Sequence, residues 1–456
     1  MTSTTIAAIA TSPGGAIGLI RISGKDAFSV SDKIFFSLSG KKIIDAKSHT
    51  MHFGRIIEEK GGENEKLIDE VLVSAFRAPH SYTGEDSVEI SCHGSRYVML
   101  RIMQLLIDNG ATQAQPGEFT QRAFINGKMD LSQAEAVADL IASNSETTHS
   151  MAISQLRGGF TRELSNLRDS LLRLTSLLEL ELDFSEEDVE FADRTELNSL
   201  TSVIADRIKF LTDSFQTGNA IKNGVPVAII GAPNVGKSTL LNALVHEEKA
   251  IVSDIQGTTR DVIEDIIQIN GITFRFADTA GIRKTKDAIE RMGIERSLKT
   301  IEHANIVLLI SEPNVEFPDI DIPENKKIIR VINKSDLNHP ISSFVFNKVS
   351  SGGYIHISAL TGAGIPLLEK ELVRAAAIPE INGSDPIITN LRHYEALKKA
   401  YDAIIRVKSG LDSQIPSDLI AQDLRLCLFH LAEITGGEIT SDEVLGNIFK
   451  NFCIGK

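Results

Sequence analysis

The stretch GAPNVGKST, residues 231 to 239, follows the apolar run VPVAII and fits the pattern G-x-x-x-x-G-K-[ST]. Glycines at that spacing let successive backbone N–H groups close around phosphate oxygens, and a helix beginning at the loop adds the positive end of its dipole. Lys237 would pair with the β and γ phosphates and support transfer of the γ-phosphoryl group. Ser238 would offer its hydroxyl to Mg²⁺, and Asn234, Val235, Gly236 and Thr239 complete the cradle. A pattern this short turns up by accident in about one chain in sixty of this length, so further loops must carry the reading.

They follow in order. FRFADTAG places Asp278, Thr279, Ala280 and Gly281 at the end of an apolar run; KKIIRVINKSD ends in Asn333, Lys334, Ser335 and Asp336; YIHISAL ends in Ser358, Ala359 and Leu360. Open α/β sheets bind ligands beyond the carboxyl ends of their strands, where all of these fall. Asp278 would hold Mg²⁺ through water, and the Gly281 N–H would face the γ-phosphate. Asp336 can accept from N1–H and the exocyclic amine of guanine, a donor pair that adenine lacks, with Asn333 and the Ala359 N–H serving the rest of the base. The expected ligand is therefore GTP. Between the first loop and Asp278, SDIQGTTRD supplies Ser253, Asp254, Ile255, Gln256, Gly257, Thr258 and Thr259. Thr259 is the expected second hydroxyl ligand of Mg²⁺, on a switch segment.

Two departures from the Ras-like pattern bear on hydrolysis. Ile282 stands where Ras-type enzymes carry the glutamine that orients attacking water. Another group must then do so, and Glu290 in KDAIERMGIER is the candidate, its plain alternative being a surface helix glutamate. Asn234, inside the phosphate loop, has a carbonyl able to help hold a monovalent cation where other systems insert an arginine finger.

These loops need a scaffold. The chain has 456 residues, 42% hydrophobic and 24% charged, enough for about three domains. Residues 1–118 alternate β-rich runs (AIGLIRISG, TMHFGRIIEE, EVLVSAFRA, DSVEISCHG) with one amphipathic helix in RYVMLRIMQLLIDNG, which predicts an α+β domain. From 119 to 216, as in LRDSLLRLTSLLELEL, apolar residues recur at three and four, and the same period returns over 381–456. A helical domain is expected there, interrupted by a Ras-like α/β P-loop domain over 217–380. The acidic stretch DFSEEDVEF reads as a solvated linker.

Bulk properties exclude several classes. Cys92, Cys427 and Cys453 are far apart, so neither a disulfide framework nor a structural zinc site is expected, and a reducing cytoplasm is the expected setting. The opening MTSTTIAAIATSPGGAIGLI lacks a basic n-region and is broken by Pro13, Gly14 and Gly15; it predicts two strands and a turn. No run reaches the roughly 20 apolar residues of a membrane span. A formal charge of −14 opposes gripping a polyanion over the whole surface, so any RNA contact must be local or shared with a partner.

GAPNVGKST, GTTRD, DTAGIR and NKSD, with SYTGEDSVEISCHG, PGEFTQRAFINGKMDLSQAEA and the terminal FCIGK, together resemble the tRNA-modification GTPase MnmE (TrmE) family over essentially the whole chain. The resemblance implies an N-terminal domain similar to folate-binding aminomethyltransferase domains, which dimerises and binds a one-carbon tetrahydrofolate derivative through Arg21, Glu89, Lys128 and Lys456. It implies a flavoprotein partner, MnmG (GidA), in a heterotetramer or larger complex. The pair would install a carboxymethylaminomethyl or aminomethyl group at C5 of the wobble uridine of certain tRNAs, using GTP, Mg²⁺ and K⁺. The family's potassium loop falls on Asn234, Ser253, Ile255 and Thr258, and its catalytic glutamate on Glu290; Ser253 stands where threonine is common. The alternatives are a ribosome-assembly GTPase switch without covalent chemistry, for which no basic GXXG loop follows residue 380, and a folate-dependent aminomethyltransferase merely regulated by GTP.

Overall fold

The structure, a computed structural model, describes residues 4–58, 66–183, 194–245, 264–277, 300–337, 353–376, 386–413 and 415–437, with Phe449, Phe452 and Gly455. The chain divides into two compact units, one of residues 1–138, 155–165 and 429–456, the other of residues 139–154 and 166–428.

The first unit is built on a seven-stranded sheet. Its strands are β1 (Ile6–Ile9), β2 (Ile17–Ser23), β3 (Phe35–Ser37), β4 (Thr50–Glu58), β5 (Lys66–Phe76), β6 (Ser87–His93) and β7 (Thr112–Gln113), in the order β3-β4-β5-β6-β2-β1-β7. Among the described strands of this sheet, only the β1–β7 pairing is parallel. The opening residues do form two strands and a turn. Alternation then decides the faces. Ile20, Ile22, Val71, Val73, Val88 and Ile90 pack with residues of α1 (Ala27–Ile34) and α2 (Arg96–Asp108), among them Phe28, Met99, Ile102 and Leu106. Each such fully buried side chain contributes about 1.5–3 kcal/mol. The opposite face carries Arg21, Glu89, Ser91, Leu72 and Phe53, whose positions alternate with the core residues. At β1, Ile6 and Ala8 of that face are covered by Phe119 of α3 (Glu118–Ile125) and by Tyr82.

The helices α4 (Leu131–Ala142), α5 (Glu146–Leu156), α6 (Gly159–Asp183) and α7 (Arg194–Asn223) follow, as the three-and-four periodicity predicts. In the second unit, α7 leads into a six-stranded sheet of β8 (Val225–Gly231), β9 (Glu264–Ile269), β10 (Ile272–Ala277), β11 (Ile306–Ser311), β12 (Lys327–Ile332) and β13 (Tyr354–His356). The order β13-β12-β11-β8-β10-β9 is parallel except at β9. Val227, Ile229, Phe274, Phe276, Leu308 and Ile310 form its core with Leu240 and Leu244 of α8 (Lys237–Val245) and Leu368 and Leu372 of the helix Ile365–Ala376.

The segments entering and leaving this α/β module lie side by side. The Ile388 N–H donates to Ser214 Oγ at 3.1 Å, Phe215 of α7 stacks on Tyr394 at 4.5 Å between ring centroids, and Gly218 admits the Ile388 carbonyl, which a Cβ there would meet at 2.1 Å. The helix Leu391–Asp412 then runs against α7. A Ras-like module is thus inserted in a helical host.

Candidate functional site

The phosphate loop links β8 to α8. Asn234 (φ +65°) and Gly236 (φ +93°) both take the left-handed backbone, which asparagine and glycine tolerate best. Gly236 has a second reason to lack a side chain, because a Cβ there would stand 2.3 Å from Asn333 Nδ2. Lys237 Nζ donates to the carbonyls of Gly231 (2.7 Å) and Ala232 (2.9 Å), folding back over the loop it belongs to. Burial pulls its pKa below the usual lysine value, and an anion beside the ammonium would oppose that shift. Asn234, Ser238 and Thr239 are exposed, while Val235 is buried under the loop.

Asn333 leaves the carboxyl end of β12 and is 2% exposed. Its Nδ2 donates to the Val235 carbonyl at 2.8 Å, and its Oδ1 accepts the Ala359 N–H at 2.9 Å. The amide is therefore engaged at both ends, and it joins the phosphate loop to the Ser358–Leu360 loop beyond β13. Ser335 and Ser358 are buried; the Ser335 N–H donates to the Ile357 carbonyl at 3.1 Å and the Thr361 N–H to Ser358 Oγ at 3.3 Å. Asp336 is exposed at the same strand end. Beside it stand two large apolar side chains in water, Leu337 at 71% and Leu360 at 80% exposure. Lys334 (φ +58°) is ion-paired with Glu312, the first residue after β11.

The structure brings together Asn234 to Thr239, Asn333 to Asp336 and Ser358 to Leu360. Ser253, Asp254, Ile255, Gln256, Gly257, Thr258, Thr259, Asp278, Thr279, Ala280, Gly281 and Glu290 lie outside the described residues. β10 ends at Ala277, one residue before Asp278.

A second polar cluster occupies the N-terminal sheet. Arg21 and Glu89 are cross-strand partners on β2 and β6, and Arg21 Nε donates to Glu89 Oε1 at 2.8 Å. A second guanidinium nitrogen donates to the Gly455 carbonyl at 3.2 Å, and the Arg21 guanidinium sits 5.4 Å from the Tyr82 ring centroid and 5.7 Å from that of Phe119. Tyr82 shares a hydrogen bond of 2.8 Å with Thr120, and burial raises its pKa, keeping the phenol neutral. Lys128 Nζ donates to the Pro79 carbonyl at 2.9 Å, and its stem passes Gly84, where a Cβ would lie 3.3 Å from Lys128 Cγ. Arg21 and Lys128 thus meet the same loop, residues 79 to 84. Behind it, Ser23, Thr83, Glu85, Arg122 and Glu118 form a connected hydrogen-bonded chain. The tail reaches this unit at Gly455 (φ +92°), where a Cβ would meet Ala10 Cα at 2.9 Å, and at Phe449 and Phe452, which pack with Leu131 and Ala134. Lys456 and Cys453 lie outside the described residues.

Sequence reasoning passed over three contributors. Tyr82 and Phe119 bracket Arg21, and in SYTGED and PGEFTQ an aromatic beside small polar residues was the signal. Glu312 follows the buried run IVLLIS, so its place beyond a strand's carboxyl end was the clue. Among the described residues no group of three or more His, Cys, Asp or Glu side chains could hold a metal, and no helix is long and apolar enough to cross a membrane.

Known proteins match over the whole length. The profile of the GTP-binding protein TrmE N-terminus matches residues 5–128, and that of the MnmE helical domain residues 131–453. The tRNA modification GTPase MnmE of Bacteroides fragilis strain YCH46 is 55% identical, covering 100% of both chains, and that of Bacteroides thetaiotaomicron 56% identical at the same coverage of this chain. Among solved structures, the G domain of the T. maritima FeoB iron transporter is 26% identical over 33% of this chain and 98% of that one, with a TM-score of 0.24.

Proposed function

The chain belongs to the tRNA modification GTPase MnmE family, and on that premise we propose that it hydrolyses GTP while acting, with the flavoprotein MnmG, at C5 of the wobble uridine of tRNA. The observation that carries the nucleotide reading is the Asn333 bridge: one buried amide locks the phosphate loop and the Ser358–Leu360 loop together with Asp336 exposed beside them. A site so tied reads phosphate and base as one unit.

In hydrolysis, water attacks the γ-phosphorus while the bond to the β–γ bridging oxygen breaks, releasing GDP and phosphate. Lys237 leaves the Gly231 and Ala232 carbonyls to meet the β and γ oxygens, and backbone N–H groups at the start of α8 stabilise the charge that spreads over them. Asp336 holds the guanine N1–H and amine. Ser238, exposed in the first turn of α8, fits a hard cation's need for a hydroxyl oxygen, and with Thr259 would hold Mg²⁺. Asn234 presents an exposed amide from a left-handed residue, which fits a monovalent cation beside the phosphates; Ser253, Ile255 and Thr258 would complete that shell. K⁺ there would supply positive charge near the bridging oxygen. Glu290 would orient the water.

The N-terminal cluster fits a one-carbon tetrahydrofolate. Glu89 is an acceptor for paired pterin N–H donors, Arg21 and Lys128 are cations for its anionic tail, the Tyr82 ring offers a flat wall, and Lys456 would add a charge from the far end of the chain. The derivative would supply the carbon that becomes the C5 methylene. Exposed Met51, Phe53 and Leu72 on the same sheet face support a homodimer through this unit. A flavoprotein that supplies basic surface reconciles a charge of −14 with tRNA as substrate. The cytoplasm is the proposed location.

The test is nucleoside mass spectrometry of tRNA from cells lacking the protein. Loss of the C5 carboxymethylaminomethyl and aminomethyl groups is expected, and intact modification would overturn the reading. GTP turnover without ATP turnover by the purified chain checks the nucleotide assignment.

A further inference from the structure

Glu312 and Lys334 stand beyond the carboxyl ends of two neighbouring parallel strands, β11 and β12, whose last residues Ser311 and Ile332 are paired in register. The Glu312 carboxylate accepts from Lys334 Nζ at 2.5 Å. Both side chains are about one-third exposed, at 31% and 34%.

Each partner is held from its own side. Ser311 is buried, and its hydroxyl donates to the Val315 carbonyl at 2.8 Å while the Val315 N–H donates to the Glu312 carbonyl at 3.2 Å. Asn314, at φ +63°, closes this turn. Glu312 therefore starts from a fixed backbone. Lys334 lies between Asn333, bound at both ends of its amide, and buried Ser335, and takes a left-handed φ itself. Its backbone has little freedom, so the ion pair settles where its four-carbon stem runs.

A carboxylate next to a polyphosphate site is unfavourable unless its charge is balanced, and here the balance is a lysine of the base-binding loop. We propose that Glu312 is a positioning residue for nucleotide retention: by anchoring the Lys334 ammonium at the end of β11, it stretches the lysine stem along the guanine slot as an apolar wall. This rests on the guanine-site reading above. Lysine stems commonly lie against apolar surface while the charged head stays hydrated, and an anchored stem loses less freedom when a base settles on it.

The test is stopped-flow release of N-methylanthraniloyl-GDP from the full-length chain, in wild type, Glu312→Gln, Lys334→Met and the double variant. For a part-exposed pair, Glu312→Gln should speed release about three- to tenfold and raise KM for GTP in proportion, with a much smaller change in kcat. In the Lys334→Met background the same change should add nothing, because Glu312 acts through that lysine. Unchanged release in Glu312→Gln, or an equal increment in both backgrounds, overturns the proposal. Thermal melting reports whether the variants fold, and with both side chains part-exposed they should. Asp336→Asn, assayed alongside with guanine and xanthine nucleotides, separates the two readings. If it gains xanthine preference while Glu312→Gln has no effect, only the positioning role fails; if it keeps guanine preference, the guanine site itself is misassigned.

Discussion

The Asn333 side chain donates to the Val235 carbonyl at 2.8 Å, so the base-recognition loop is fastened to the phosphate loop through one buried amide. Asn333→Ala would leave that carbonyl and the Ala359 N–H without partners, each costing about 1–3 kcal/mol. We expect a lower melting temperature and at least tenfold weaker GTP binding, measured by calorimetry and fluorescent-nucleotide titration. Wild-type affinity in a destabilised variant would mean the bridge serves the fold alone. Gly236→Ala should behave similarly, since its Cβ would meet Asn333 Nδ2 at 2.3 Å.

Hydrolysis should respond to potassium much more than to sodium at matched ionic strength. Phosphoryl transfer needs positive charge near the bridging oxygen, a function worth roughly 10³ to 10⁵ in rate when an arginine supplies it. Asn234→Ala should lose the potassium response and retain part of nucleotide binding. Glu290→Ala should retain binding and stop turnover. Equal rates in KCl and NaCl would refute the cation assignment, and normal turnover by Glu290→Ala the water-orienting role.

Glu89→Ala removes the carboxylate that now partners Arg21, and should weaken 5-formyl-tetrahydrofolate binding by tenfold or more in titration calorimetry, without slowing GTP hydrolysis. Removing the last four residues, CIGK, takes away the Gly455 carbonyl that Arg21 also uses. That truncation should abolish tRNA modification while GTPase activity survives. Folate affinity unchanged in both variants would remove the ligand from this cluster.

Cys92 and Cys427 should resist alkylation. Burial raises the Cys92 thiol to about 11, with Asp69 adding to the rise, and burial raises Cys427 to about 12. A thiol with a raised pKa is mainly thiolate only above that value, so at pH 8 about one Cys92 in a thousand is ionised. Iodoacetamide mass mapping should find both unmodified in the folded chain and modified after denaturation. Prompt labelling of either would contradict the packing.

Much of the site was legible because each piece rides on a contiguous run. VPVAII, KIIRVI and YIH are strands, and the loops after them are placed by the strand ends alone. The strands and the long helices follow from period two and period three-and-four in the same way. What remained hidden depends on partners distant in sequence. Asn333 reads as a base contact until Val235 and Ala359 are seen to engage both ends of its amide. Glu312 gains its meaning only from β11 and β12 being adjacent, and Arg21 gains its aromatic walls only once Tyr82 and Phe119 are folded against it. Nor does any local pattern say that β6 sits between β5 and β2.

The stacking of Phe215 on Tyr394 sets an order of events during synthesis. When α7 leaves the ribosome, the partner of its apolar face is still about 180 residues from being made, a delay of roughly ten to forty seconds at ordinary elongation rates. The intervening α/β module carries its own core and can close in that interval, bringing its two ends together. The helix Leu391–Asp412 would then emerge already held beside α7, its docking changed from a search across a long flexible chain into a contact between near neighbours.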